Sequence, residues 1–158
     1  MAINLSTAGA SVNYAVEATA GVRPTTNYET LIGLKETPEL NPEPSTLDTT
    51  TLAELEYKTA IPGLKDLGGA LSFMANFTQA LIDQWEELMS EYTVAAAAGK
   101  AVWFAIIIPG ITEACFFTGV PSALGMPALA VDAVLETNLY ITPTNAPAWE
   151  TKPTVISA

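Results

Sequence analysis

The residues able to do chemistry are few, and most of them are acids. Asp83, Glu86, Glu87 and Glu91 crowd one stretch, and Asp132 and Glu136 stand four apart in another. Paired carboxylates can hydrolyse glycosides when one is held protonated and the other ionised. The first group faces outward without the aromatic lining of a sugar cleft. Histidine is absent, which removes the usual general base, the commonest metal ligand and every Ser-His or Cys-His nucleophile pair. The one cysteine, Cys115, permits neither an internal disulfide nor a zinc cluster; beside Phe116 it reads as a small buried hydrophobe. Gly68-Gly69 lacks the spacing of a phosphate-cradling loop and opens a strand rather than a helix. The acids of 83–91 read as a solvated helix face. Asp132 and Glu136 read as an acidic stripe on one side of a strand, without a calcium-type loop. No residue set qualifies as catalytic, metal-binding or cofactor-binding.

Bulk composition points the same way. Of 158 residues, 49% are hydrophobic and only 15% charged, too few to coat the surface of a soluble monomer. Either the core is large or neighbouring copies cover part of the surface. The 17 acidic against 6 basic residues give a net charge of −11. Arg23, Lys35, Lys58, Lys65, Lys100 and Lys152 are scattered singly, so no patch exists to displace counterions from a phosphate backbone. Stable DNA binding is not expected; DNA passing close by without sticking is compatible. The first basic residue is Arg23, so no signal peptide is expected. The apolar run 101–108 falls far short of the ~20 residues of a membrane helix, so no membrane insertion is expected. A reducing cytosol is the expected setting. The Asn-x-Ser/Thr matches at Asn4 and Asn76 read as chance.

Residues 1–26 show no amphipathic period and read as an extended N-terminal arm. Residues 27–35 read as a strand with Tyr28, Thr30, Ile32 and Leu34 on one face, and 36–44, with three prolines, as a loop. The threonine-rich 45–52 would complete a long hairpin with it. Residues 53–58 read as a helical turn. Pro62-Gly63 and Gly68-Gly69 mark turns in a structured loop, 61–69. Leu71, Phe73, Ala75 and Phe77 then alternate with polar residues, the pattern of a strand with one buried face.

The period then changes to that of a helix, about 79–97. Leu81, Trp85, Leu88, Met89 and Tyr92 form its stripe, Thr78 its N-cap, Asp83 an early acid facing the dipole, and Gly99 its end. Residues 101–108 are apolar on both faces, a strand buried on both sides. Pro109-Gly110 turns it, 112–120 returns beside it, and 121–127 is a loop. Residues 129–142 alternate again, with Val131, Ala133, Leu135, Leu139 and Ile141 inward and Asp132, Glu136, Asn138 and Tyr140 outward. Residues 143–158, with three prolines, read as an extended C-terminal arm. The expected fold is mainly β with one α-helix (α+β). Two antiparallel sheets form a β-sandwich or half-barrel flanked by the helix, one domain over 1–158 with its core at 27–142 and an arm at each end.

Thr49-Thr50-Thr51-Leu52, an acidic spacer, Ile61-Pro62-Gly63-Leu64-Lys65-Asp66 and a Gly-led strand follow one another in an order that resembles the tail tube, or major tail, proteins of long-tailed bacteriophages and prophages. The likeness resumes over 136–149, where Tyr140-Ile141-Thr142-Pro143 closes a strand and Pro147-Ala148-Trp149 follows. The resemblance implies a non-enzymatic structural protein, a homo-hexamer whose rings stack into the tube through which the genome is ejected. Its implied partners are tape measure, tail terminator and tail tip or baseplate proteins. Its implied location is the virion tail, after assembly in the host cytoplasm.

Under that resemblance, Tyr14, Leu55, Tyr57, Pro62, Gly63, Leu64, Lys65 and Trp149 are candidate contacts between subunits or rings. Glu36, Asp48, Asp132 and Glu136 are candidate acids of the channel wall, where like charge would let DNA slide. Ring closure also removes exposed strand edges. The competing expectation is a monomeric β-sandwich binding module of adhesin or carbohydrate-recognition type, stacking sugars on Trp85, Trp103 and Trp149. Against it, Trp85 and Trp103 fall on buried patterns.

Overall fold

A computed structural model describes residues 8–41, 43–65 and 69–155. The expectations placed on Asn4, on Gly68 and on the outermost residues of both arms lie outside them. Ten strands and one helix run in the order β1 (Ser11–Val16), β2 (Glu29–Thr30), β3 (Leu34–Glu36), β4 (Pro44–Asp48), β5 (Ala60–Lys65), β6 (Leu71–Asn76), α1 (Gln79–Ala97), β7 (Val102–Ile107), β8 (Glu113–Pro121), β9 (Glu136–Pro143) and β10 (Ala148–Thr151) among the described residues. The mainly-β fold with one helix is therefore present. One antiparallel sheet has the order β2-β1-β7-β8-β9-β6-β3, with β10 added beside β8; the second sheet is only the ribbon β4–β5.

The large sheet has to curl. Its two ends, β2 and β3, are separated in the chain by residues 31–33 alone, and that span reaches roughly 13 Å when extended. The edges must therefore come round toward each other as a half-barrel. Gly33, at φ 71°, makes the turn between them. Gln84 of α1 clamps the seam: its amide donates to the Thr30 carbonyl at 2.7 Å, and its oxygen accepts from Ile32 N at 2.9 Å.

The helix fills the concave face. Thr78 Oγ1 accepts from Leu81 N at 3.3 Å, and Gly99 leaves the helix at φ 73°. Leu81, Trp85 and Leu88 are fully buried against Phe73, Phe104, Phe117, Leu139 and Ile141. Each such side chain contributes about 1.5–3 kcal/mol on leaving water. Trp85 Nε1 donates to the Ser122 carbonyl at 2.8 Å. Asp83 lies beyond the first turn, which holds no acid, and accepts from Gln79 instead.

β7 is buried on both faces, as its composition requires. Val102, Phe104 and Ile106 join the core under the helix, while Trp103, Ala105 and Ile107 join a second core with Ala15, Tyr28, Ala114, Phe116 and Val155 on the convex side. Tyr28 meets Phe116 edge-on at 6.0 Å between centroids, and the Arg23 guanidinium lies 4.1 Å over the same Phe116 ring.

Several expectations are corrected. Residues 11–16 are not part of an arm: β1 lies between β2 and β7, with Val12 and Tyr14 in the main core. Asn13 obscures its pattern, yet its buried amide is satisfied by Thr30 Oγ1, Ser11 Oγ and the Ala105 carbonyl. Residues 27–35 break into β2 and β3, and β4 pairs with β5 rather than with them. Pro62-Gly63 lies inside strand β5, whose free edge tolerates proline. Residues 53–58 form no helix: a turn at 52–53 closes with Glu54 N on the Thr51 carbonyl, and bends follow at 55–56. In the stretch 129–142 the strand starts at Glu136, and Val131, Ala133 and Leu135 are exposed rather than inward. The C-terminal stretch also returns to the sheet: β10 pairs with β8, and Val155 bridges to Tyr28.

Candidate functional site

The β4–β5 hairpin departs from the rest of the surface. Its strands pair Leu47 with Ile61 and Asp48 with Ala60, with a bulge between Pro44 and Thr46. Gly63 packs so close that an added Cβ would sit 2.3 Å from Ser45 Oγ and 3.2 Å from the Ser45 carbonyl oxygen. Polar residues build the tip from within. Asp48 accepts from Thr50 N at 2.8 Å, Thr50 Oγ1 accepts from Thr59 N at 2.9 Å, and Glu54 accepts from Thr51 N at 3.1 Å and from Thr59 Oγ1. The donations from Thr50, side chain first and then backbone, hold the exposed Asp48 carboxyl below its ordinary pKa.

With its polar groups turned to one another, the hairpin presents hydrophobes to water. Leu52, Leu55 and Leu64 are each at least 90% exposed and Tyr57 is 81% exposed; Leu47 and Ile61 are more than half exposed. Folding of the single chain leaves these side chains uncovered. Of the expected contact residues, Leu55, Tyr57, Pro62, Gly63, Leu64 and Lys65 thus sit together on one element. Trp149 lies on β10, beside Cys115 of β8, and is 52% exposed. Tyr14 is a correction: it is 1% exposed and its hydroxyl donates to Glu29 Oε2 at 2.7 Å, so it belongs to the chain's own core.

The four candidate channel acids fall on different elements. Glu36 is exposed on β3 and Asp48 on the hairpin. Asp132 sits in a turn at φ 57°, off any strand, so it forms no stripe with Glu136. Glu136, at the start of β9, pairs with Lys35. The helix acids Asp83, Glu86 and Glu87 are exposed, but Glu91 is half-buried. Desolvation first, then Glu29 and Glu87, raise its pKa. Among the described residues no group of three or more Cys, Asp or Glu is placed to hold a metal ion, and no described helix is long and apolar enough to cross a membrane.

Two features escaped the sequence reading. Glu17, buried at the end of β1, accepts from Trp103 Nε1 at 2.8 Å, Ala101 N at 2.8 Å and Gly21 N at 3.2 Å. The second is the long connection 122–135, strandless and bearing exposed Met126, Leu129, Val131 and Val134. For Glu17 the available signal was one acid in an apolar, alanine-rich stretch. For the connection, it was an apolar run, 128–135, broken only by Asp132.

No family model matches this sequence, and no curated protein does. Among solved structures, the chain is similar to a chain of the cryo-EM structure of the anti-feeding prophage (AFP) baseplate, six-fold symmetrised. The TM-score is 0.66 at 11% identity, and the match covers 96% of this chain and 98% of that one. At that identity the likeness is one of fold, and it spans nearly the whole of both chains.

Proposed function

We propose that this protein is a structural, non-enzymatic subunit of a phage-like tail or baseplate particle, and within that class a tail tube protein that assembles as stacked hexameric rings. The hairpin carries the reading: an ordered element that exposes six large hydrophobes makes physical sense only when identical or related chains cover it. The shared fold with a baseplate chain supports it. Leu55, Tyr57, Pro62, Gly63, Leu64, Lys65 and Trp149 are the contacts between copies. Tape measure, terminator and tip or baseplate proteins are its further partners in the virion tail. A net charge of −11 suits a wall along which DNA slides without stable binding, with Glu36, Asp48 and Asp132 among its acids. A monomeric sugar-binding module is disfavoured by its indoles: Trp85 is buried and Trp103 is engaged with Glu17, which leaves Trp149 alone.

Electron microscopy of the purified protein beside the L55D/Y57D variant tests the proposal. The parent should form rings or tubes as concentration rises. The variant should stay a single chain with unchanged circular dichroism. A parent chain that remains solitary under every ionic condition, even when seeded with authentic tail tips, refutes it.

A further inference from the structure

In the connection 122–135, sequence pattern and surroundings conflict. Residues 129–135 are apolar at every position but Asp132, the composition of a strand covered on both faces. Yet no residue of the connection is in a strand, and Met126, Leu129, Val131 and Val134 are 70–91% exposed. Extension stops at Asp132, whose φ of 57° is uncommon for any residue but glycine. Natural sequences seldom set a local pattern against the final structure. The conflict disappears if the strand's partner belongs to another chain.

We propose that residues 129–135 of one copy straighten into a strand along the β4–β5 hairpin of a second copy, a contact that rests on the assembly reading above. Of sixteen exposed large hydrophobes among the described residues, six lie on the hairpin and five on this connection. Covering those eleven side chains removes on the order of 1,000 Å² of apolar surface. That is about the area at which an interface becomes specific. Charge favours the same pairing. The connection carries only Asp132, and residues 44–65 set Asp48, Glu54 and Glu56 against Lys58 and Lys65, so together they hold −2 of the chain's −11. Copies that repel each other elsewhere meet here with little penalty. Because the two segments differ, the contact is head-to-tail and repeats from copy to copy. Straightening also frees Asp132 from its left-handed turn.

Cysteine cross-linking tests the pairing. In a C115S background, I61C and V131C are introduced singly and together. The proteins are concentrated, checked for assembly by sedimentation, oxidised and run on non-reducing gels. The double variant should give a ladder of covalent multimers, and a mixture of the two single variants should stop at dimers. Each single variant alone should stay monomeric on the gel. Amides of 129–135 should exchange about a hundredfold more slowly in assembled than in dilute protein. Assembly without a 61–131 cross-link or slowed exchange, or V131C cross-linking to itself, overturns the pairing and leaves the assembly reading standing. A chain that never assembles overturns both.

Discussion

The indole Nε1 of Trp103 donates to the Glu17 carboxylate at 2.8 Å, joining the end of β1 to the start of β7 beneath a nearly closed surface. Ala101 N and Gly21 N complete the shell, so one acid fixes two strand ends and the turn that follows β1. Desolvation pushes this carboxyl's pKa up, but the donations from Trp103, Ala101 and Gly21 together outweigh it and hold the group below the ordinary 4.5.

Glu17→Ala should therefore destabilise the fold by about 3 kcal/mol, because it strands several donors at once. The pH dependence has a definite sign. With the folded pKa depressed, Glu17's contribution is fully present above 4.5 and is lost as pH falls through the lower, folded value. Urea unfolding at several pH values should show wild type losing its advantage over E17A below pH 4.5. An equal gap at every pH would mean that the ionised form plays no part.

Gln84 offers a test of the seam. Its side chain bonds the backbone of both Thr30 and Ile32, where the sheet's edges approach. Gln84→Met keeps the stem and removes both bonds, which should cost about 1–2 kcal/mol. Amide exchange at Ile32 and along β3 should quicken more than exchange in β7. A uniform change across the sheet would argue against a local clamp.

Legibility in the sequence followed how locally each element is stabilised. α1 was readable as a helix of about 79–97 because cap, stripe and terminating glycine all act within one stretch. β7 was readable because burial on both faces leaves no polar residue. β1 was not, since Asn13 breaks its apolar run and its amide is satisfied by residues as distant as Ala105. The break between β2 and β3 follows from curling of the whole sheet, which no window of sequence contains. At the candidate site, the order of the Thr49–Leu52 and Ile61–Lys65 segments singled out residues that the structure gathers on one hairpin. It did not show that Pro62-Gly63 lies within a strand, nor that Tyr14 turns inward to Glu29.

Gly63 separates hairpin geometry from core stability. A side chain there meets Ser45 Oγ at 2.3 Å and the Ser45 backbone oxygen at 3.2 Å, so the strands must part. The core clusters contain no residue of β4 or β5. Gly63→Val should therefore abolish assembly in sedimentation while shifting the melting temperature by only about 2 °C, as expected of a change outside the core. Loss of the fold itself would show that the ribbon supports the half-barrel.

Glu91 should behave in the opposite sense to Glu17. Its carboxyl is half-buried on α1, and desolvation, then Glu29 and Glu87, raise its pKa above 4.5. Glu29 is itself held close by the Tyr14 hydroxyl, so it cannot swing away without giving up that bond. A raised folded pKa means the fold is favoured while Glu91 is protonated, below 4.5, and loses that advantage as pH rises through the higher folded value. Glu91→Gln imitates the protonated form. It should raise the melting temperature at pH 7 and leave it unchanged at pH 3.5. Glu29→Gln should reproduce part of the gain at pH 7 by removing one of the two opposing charges. A Glu91→Gln variant that melts lower than wild type at pH 7 would show that the carboxylate is an acceptor the helix needs, rather than a charge the fold endures.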